Sequence, residues 1–363
     1  MIDPRPELSK LSDYVPGKSI DEIRAKYGLS KVVKLASNEN PLGASPKAIG
    51  AYREIGDILH LYPRGDAPKL IDAIATFYGI DKNQVVLGNG SDEIIDMVGK
   101  AFIRQGDNCI GITPTFSVYK FTTLSNGADF IGVGSGDQKT PLSELLKAIN
   151  EKTRVVFICS PNNPTGVYYT KDEMVGFLDK VPGNVLVFLD QAYSEFATAS
   201  DYPVLIDMLD KYRNLFINRT FSKIYGLAGL RVGYAFGSID VISAMWKIKP
   251  PFDINQAAQV AAIAALSDRD HVRRTLELNA EGIRYLTPEF ESLGFRVLPT
   301  QGNFICIHVG PKAKDLVQFL EQNGMIVRGL TSFGLPEHIR VTLGKREENE
   351  FLVNLVKKWK AEA

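Results

Sequence analysis

Lys223 sits in a setting that few lysines have. The run Arg219-Thr220-Phe221-Ser222-Lys223-Ile224-Tyr225-Gly226-Leu227-Ala228-Gly229-Leu230-Arg231-Val232-Gly233-Tyr234 places two hydroxyls just before it and an arginine eight residues after it, among glycines. A lone lysine is ordinarily a solvated surface residue. Framed by Ser, Thr, Gly and Arg directly after an apolar run, this one reads as a nucleophilic amine beside a phosphate site.

Four other apolar runs end in residues of compatible chemistry. Gly88-Asn89-Gly90-Ser91-Asp92-Glu93 is a glycine-rich turn feeding a helix, so free amides could meet an anion; Ser91 or Asp92 would equally serve as an ordinary helix cap. Phe116, after Thr113-Pro114-Thr115, could stack on a flat ring or belong to the core. Ser160-Pro161-Asn162-Asn163-Pro164-Thr165-Gly166 is a rigid loop whose Asn side chains either close turns or offer a pre-set donor. Asp190 ends a wholly apolar run, with Tyr193 three residues on. Buried unpaired, that carboxylate would be costly, so it needs a cation or a donor; a helix cap is the plain alternative.

These residues must be positioned by strands. Short β-rich runs at 84–87, 108–112, 129–133, 154–159, 185–189 and 214–218 alternate with helical patterns at 46–56, 68–79, 91–104, 142–149 and 171–180. The alternation predicts an α/β fold with a mostly parallel sheet covered on both faces, its ligands beyond the carboxyl ends of the strands. Residues 1–45, rich in Pro, Ser, Asn and Gly, read as an arm with one short helix around 20–27. A long helical stretch over 254–293 precedes a second α/β pattern, with strands at 295–298, 304–308, 325–327 and 339–342 and helices at 313–323 and 345–360. Lys249-Pro250-Pro251 marks a boundary near residue 250.

Bulk properties narrow the function. The 363 residues are 45% hydrophobic, ample for a large core or two domains, and Lys+Arg equals Asp+Glu at 42 each. A balanced charge argues against nucleic acid or a membrane surface as partner. Cys109, Cys159 and Cys306 lie in apolar runs and are expected as buried thiols, not a disulfide framework. His60, His271, His308 and His338 form no close pair in sequence, so no metal is expected. The N-terminus lacks an apolar signal segment and no run is long enough to span a bilayer, so a cytoplasmic protein is expected.

Together these residues resemble the class I/II aminotransferases, pyridoxal-phosphate (PLP) enzymes of fold type I. Ser222-Lys223 with Gly229-Leu230-Arg231-Val232-Gly233 is similar to that family's cofactor-lysine signature, and the similarity extends over nearly the whole chain. Tyr14-Val15-Pro16-Gly17-Lys18, Leu35-Ala36-Ser37-Asn38-Glu39-Asn40-Pro41 and Tyr62-Pro63 are similar to the branch acting on a phosphorylated imidazole compound. The resemblance implies a mixed seven-stranded sheet flanked by helices in a large PLP-binding domain (46–250). It implies a smaller C-terminal domain (251–363), beginning with the long helical stretch, and an arm (1–45) packing against it.

Roles follow from the resemblance. Lys223 would be the Schiff-base lysine and the proton-transfer base. Asp190 would pair with the ring nitrogen, while Tyr193 and Asn163 would bond the ring O3′. Phe116 would stack on the ring, where many relatives carry Tyr. Ser91, Asp92, Thr220 or Ser222, and Arg231 would hold the cofactor phosphate, and Tyr62 would reach it from the neighbouring subunit of a homodimer. Arg340, in His338-Ile339-Arg340-Val341-Thr342, would clamp the substrate carboxylate. Asn38 would lie on the substrate side, with Tyr14 and Arg328 as candidates for the substrate's own phosphate. The function implied is transamination between L-histidinol phosphate and 2-oxoglutarate. An aromatic amino-acid aminotransferase or a threonine-phosphate decarboxylase on the same scaffold is the alternative.

Two readings from other classes are weaker. A catalytically dead binding module is disfavoured by Lys223, Asp190, Tyr193 and Arg231 occurring together. A dinucleotide-binding dehydrogenase is disfavoured because Gly88-Asn89-Gly90 lacks the third glycine of that fingerprint and comes too late to open the sheet.

Overall fold

The central strands form where the chain is buried on both faces. In the computed structural model, which describes residues 2–11 and 17–362, a short β1 (Val33–Lys34) precedes seven strands that build one sheet. These are β2 (Val85–Gly88), β3 (Asn108–Ile112), β4 (Asp129–Val133), β5 (Thr153–Cys159), β6 (Leu186–Asp190), β7 (Leu215–Thr220) and β8 (Gly233–Gly237), in the order β2-β8-β7-β6-β5-β3-β4. Pairing from β7 through β6, β5 and β3 to β4 is parallel; β8 runs antiparallel between β2 and β7. Along β5, Val156 and Ile158 enter one core while Val155 and Phe157 enter the other, because successive side chains alternate faces. Helices cover both layers, as expected for a largely parallel sheet. β8 lies outside the expected strands: its Gly-Tyr-Ala-Phe-Gly composition carries little strand signal, and long-range pairing on both edges makes it one.

A second sheet, β12-β13-β10-β9, is antiparallel throughout. It comprises β9 (Arg296–Val297), β10 (Phe304–His308), β12 (Arg328–Gly329) and β13 (His338–Thr342), while β11 (Met325–Ile326) pairs in parallel with β1. Val33 and Leu35 therefore belong to the core of the C-terminal unit. Nearer the start of the chain, Arg5 and Lys10 reach the first unit instead, at the Ser125 carbonyl and Asp129.

The helical stretch after residue 250 divides. Helix Gln256–Leu266 packs Ala258, Ala261, Ala262 and Ala265 into the first core, against helices Pro46–Arg53 and Pro68–Tyr78, although it was expected with the C-terminal unit. Helix Arg269–Ser292 bridges the units: Val272 and Leu276 lie against the first core, Leu286 and Phe290 in the second. Asp268 caps it by accepting from the His271 amide at 3.2 Å and is itself held by Ser45 Oγ at 2.6 Å.

The three cysteines are free and buried. His308 and His338 are register partners with rings 4.8 Å apart, each bonded to a carboxylate, Glu337 and Asp137. Among the described residues no group of three or more His, Cys, Asp or Glu could hold a metal, and no helix is long and apolar enough to cross a membrane.

Candidate active site

The carboxyl ends of β2, β6 and β7, with the amino end of β8 between β2 and β7, lie along one edge of the sheet. Lys223 leaves β7 through a turn in which the Ser222 amide donates to Thr220 Oγ1 at 3.1 Å. Its Nζ donates to the Ser37 carbonyl at 3.3 Å and lies 5.9 Å from the centroid of the Tyr193 ring. Burial, then the positive charge of Arg340, brings its pKa down to about 8. An amine so placed has a large neutral fraction near pH 8 and can act as nucleophile and base.

Asp190 ends β6, almost wholly buried. Its Oδ1 accepts from Asn218 Nδ2 and the Ala192 amide, both at 3.1 Å, and its Oδ2 accepts from the Tyr119 hydroxyl at 2.6 Å. Burial raises its pKa, and these three bonds oppose the rise. In parallel register, Asp190 stands directly beside Asn218 of β7.

A glycine-lined cradle forms where β8 joins β2 to β7. Gly233 is the register partner of both Gly88 and Thr220, which sets the glycine-rich turn, the buried Thr220 and Ser222 hydroxyls and Arg231 side by side. Gly90 has φ +81°, and a Cβ there would stand 2.3 Å from Arg231 Nη2; one on Gly233 would stand 2.8 Å from the Ser91 nitrogen. Only glycine lets these segments approach so closely. Ser91 opens helix Ser91–Phe102, so its first-turn amides face the same space. Arg231 Nη2 lies 3.4 Å from Asp92 Oδ2, so the Asp92 side chain is engaged with Arg231 while its amide belongs to the helix start.

On the opposite wall β13 supplies Arg340, almost fully buried. It donates to Asn163 Oδ1 and, at 2.6 Å, to the Ala36 carbonyl, while its buried Nε has no partner among the described residues. Arg328 is its register partner on β12 and, half-buried, lies 3.5 Å from Ser332 Oγ. Asn38, with φ 54°, donates to the Tyr193 hydroxyl at 2.9 Å and accepts from Thr342 Oγ1 at 3.1 Å. Burial pushes the Tyr193 phenol up to about 12, so it stays protonated.

One expected residue stands apart. Tyr62 is on the surface, 83% exposed, stacked on Phe252 at 4.8 Å. Tyr14 lies outside the described residues. Phe116 is half-buried and meets Tyr119 edge-on at 5.7 Å. The sequence reading missed Tyr119 and Asn218, which bond Asp190, and Thr342 and Asn303, which hold Asn38. The i, i+3 spacing of Phe116 and Tyr119 was the one local signal available.

A family model for the class I and II aminotransferases matches residues 30–356. The chain belongs to that family. This aminotransferase is 42% identical over 348 residues to a histidinol-phosphate aminotransferase of Geobacillus sp. strain WCH70, covering 96% of this chain and 95% of that one. It is 42% identical over 354 residues to a histidinol-phosphate aminotransferase of Moorella thermoacetica, covering 97% and 92%. Its fold superposes with TM-score 0.91, at 24% identity and 99% and 97% coverage, on the crystal structure of histidinol-phosphate aminotransferase from Sinorhizobium meliloti in complex with pyridoxal-5'-phosphate.

Class I and II aminotransferases work with PLP, and the residues present fit that group. The glycine-lined cradle beside Arg231 suits a phosphate, the buried carboxylate of Asp190 suits a protonated ring nitrogen, and the depressed pKa of Lys223 suits an amine that must condense with an aldehyde. When bound, PLP supplies the electron sink that transamination needs.

Proposed function

We propose that this aminotransferase interconverts L-histidinol phosphate and 2-oxoglutarate with imidazole-acetol phosphate and L-glutamate. The observation that carries the substrate assignment is the pairing of Arg340 with Arg328 across β13 and β12, with Arg340 near enough to Lys223 to help depress its pKa. Two guanidinium groups in register give one pocket that can take a carboxylate from one substrate and a phosphate from the other in turn. Relatives of that name at 42% identity over nearly the full length support the same reading, and the alternatives have no better support.

In this reading Lys223 would hold the cofactor through its Nζ and would move the proton at the substrate's α-carbon. Asp190 holds the proton on the ring nitrogen. Tyr193 and Asn163 would donate to the ring O3′, and Phe116 would pack on the ring face. Ser91 and Asp92 through their amides, Thr220, Ser222 and Arg231 bind the phosphate. Arg340 orients the substrate, with Asn38 on the same side and Arg328 toward the distal anion. Tyr14, outside the described residues, is a second candidate for that anion. Tyr62, with a largely exposed ring, would complete the phosphate site of a second copy in a homodimer.

An absorbance titration of the purified holoenzyme with L-histidinol phosphate tests the assignment. Bleaching of the yellow form at low ligand, but not with phenylalanine, is the expected result. Better bleaching by phenylalanine would move the assignment to an aromatic aminotransferase.

A further inference from the structure

Tyr119 belongs to helix Val118–Ser125 and is wholly buried. Its ring stacks on Phe157 at 4.9 Å and 10° and meets Phe116 edge-on at 5.7 Å and 82°, so the direction of its hydroxyl is set by packing. That hydroxyl donates to Asp190 Oδ2 at 2.6 Å, while Oδ1 already accepts from both Asn218 and Ala192. A carboxylate offers about four acceptor positions. Three are taken, and the remaining one is on Oδ2, next to the phenol.

We propose that Tyr119 is a positioning residue that locks the Asp190 carboxylate so that a single acceptor, on Oδ2, is left for the cofactor's ring nitrogen. The proposal rests on the reading of Asp190 as the partner of that nitrogen. Tyr119 also ties the two walls of the ring pocket together, because the ring that braces Phe116 carries the hydroxyl that aims Asp190. Its phenol is held well above the usual tyrosine range by burial, so it remains a donor at any working pH. Burial pushes the Asp190 pKa up, and the Tyr119 bond leads the influences that pull it back. Without that bond the carboxyl would compete for the proton that the ring nitrogen must keep.

Tyr119→Phe preserves the stacked ring and removes only the O–H. Three quantities are measured beside the wild type: the affinity of the cofactor-stripped protein for PLP, the pH midpoint at which the visible band of lysine-bound cofactor titrates, and kcat and KM for glutamate. The expected result is affinity weakened about 10- to 100-fold, the scale of one bond to a charged group. The band's midpoint should move upward, because a less firmly protonated ring withdraws less from the linkage, and kcat should fall with KM nearly unchanged. A lower melting temperature with wild-type affinity, midpoint and kcat would mean a merely structural role and overturn the proposal, as would a variant matching the wild type throughout. Asp190→Ala is assayed alongside. If it keeps the band and turnover, the reading of Asp190 fails and the proposal with it. If it is inactive while Tyr119→Phe behaves as wild type, only the assignment of Tyr119 falls.

Discussion

The Arg340 guanidinium donates to Oδ1 of Asn163, a residue 177 positions away in the chain. The residue proposed to grip the substrate and one proposed to touch the cofactor ring are thus a single bonded unit. With Ala36 taking a second nitrogen, Arg340 is pre-aimed before substrate arrives, which lowers the ordering cost of binding.

Arg340→Lys keeps the charge and loses the planar fork. Since a charge-assisted bond contributes roughly 1.5–3 kcal/mol, kcat/KM for glutamate should fall about 10- to 100-fold. Steady-state kinetics check this, and because Asn163 loses its partner, the spectrum of the bound cofactor should also change.

Lys223→Ala should abolish turnover and the absorbance of lysine-bound cofactor while leaving the fold intact. Circular dichroism with a PLP-binding assay checks both halves, and full activity in the variant would overturn the mechanism.

Lys223 should also set a pH dependence. Its pKa in the folded chain is about 8, against an ordinary 10.5. Capture of PLP by the cofactor-stripped protein needs the neutral amine, so its rate should rise with pH to a half-maximum near 8. The same shift bears on stability. Between about pH 8 and 10.5 the unfolded chain binds more protons at this group than the folded one, so the destabilisation is fully present below about 8 and is relieved as pH rises toward 10.5. Lys223→Met should stabilise the cofactor-stripped protein below pH 8, with the gain shrinking above it.

Gly90→Ala should damage the anion cradle specifically. The residue has φ +81° and its Cβ would collide with Arg231 Nη2. A loss of about 1 kcal/mol or more in stability is expected from the backbone alone. The more telling readout is a weakened affinity for PLP, measured by equilibrium titration of the stripped protein.

Asp137 joins the two units: it accepts from Arg296 and, at 2.7 Å, from His338, two residues before Arg340 on β13. Burial alone would raise its pKa, but the His338 and Arg296 bonds outweigh that and hold it below the usual carboxylate range. A carboxylate with a depressed folded pKa stabilises above its unfolded value, and that contribution is lost as pH falls through the folded one. Asp137→Asn should therefore cost about 1–3 kcal/mol of stability at neutral pH, read as a lower melting temperature. The gap from the wild type should close in acid.

Local pattern was enough to place the candidate site residues at or just after the ends of strands. The runs before Lys223, Asp190, Asn163 and the Gly88–Gly90 turn are apolar on both faces, which only a covered sheet satisfies, and their terminal residues follow directly in the chain. Family membership likewise resides in contiguous segments. What tertiary structure decided are the relations between segments. β8 becomes a strand only through pairing with β2 and β7, and that pairing aligns Gly88, Gly233 and Thr220 into the cradle. Helix Gln256–Leu266 joins the first core although it follows the two prolines. Asn38 meets Thr342, Arg340 meets Asn163, and Tyr119 meets Asp190. Periodicity reports which face of an element is buried, but not which distant element will cover it. That choice is made by packing the whole chain at once, and it is where the donors that aim Asp190 and the acceptors that aim Arg340 come from.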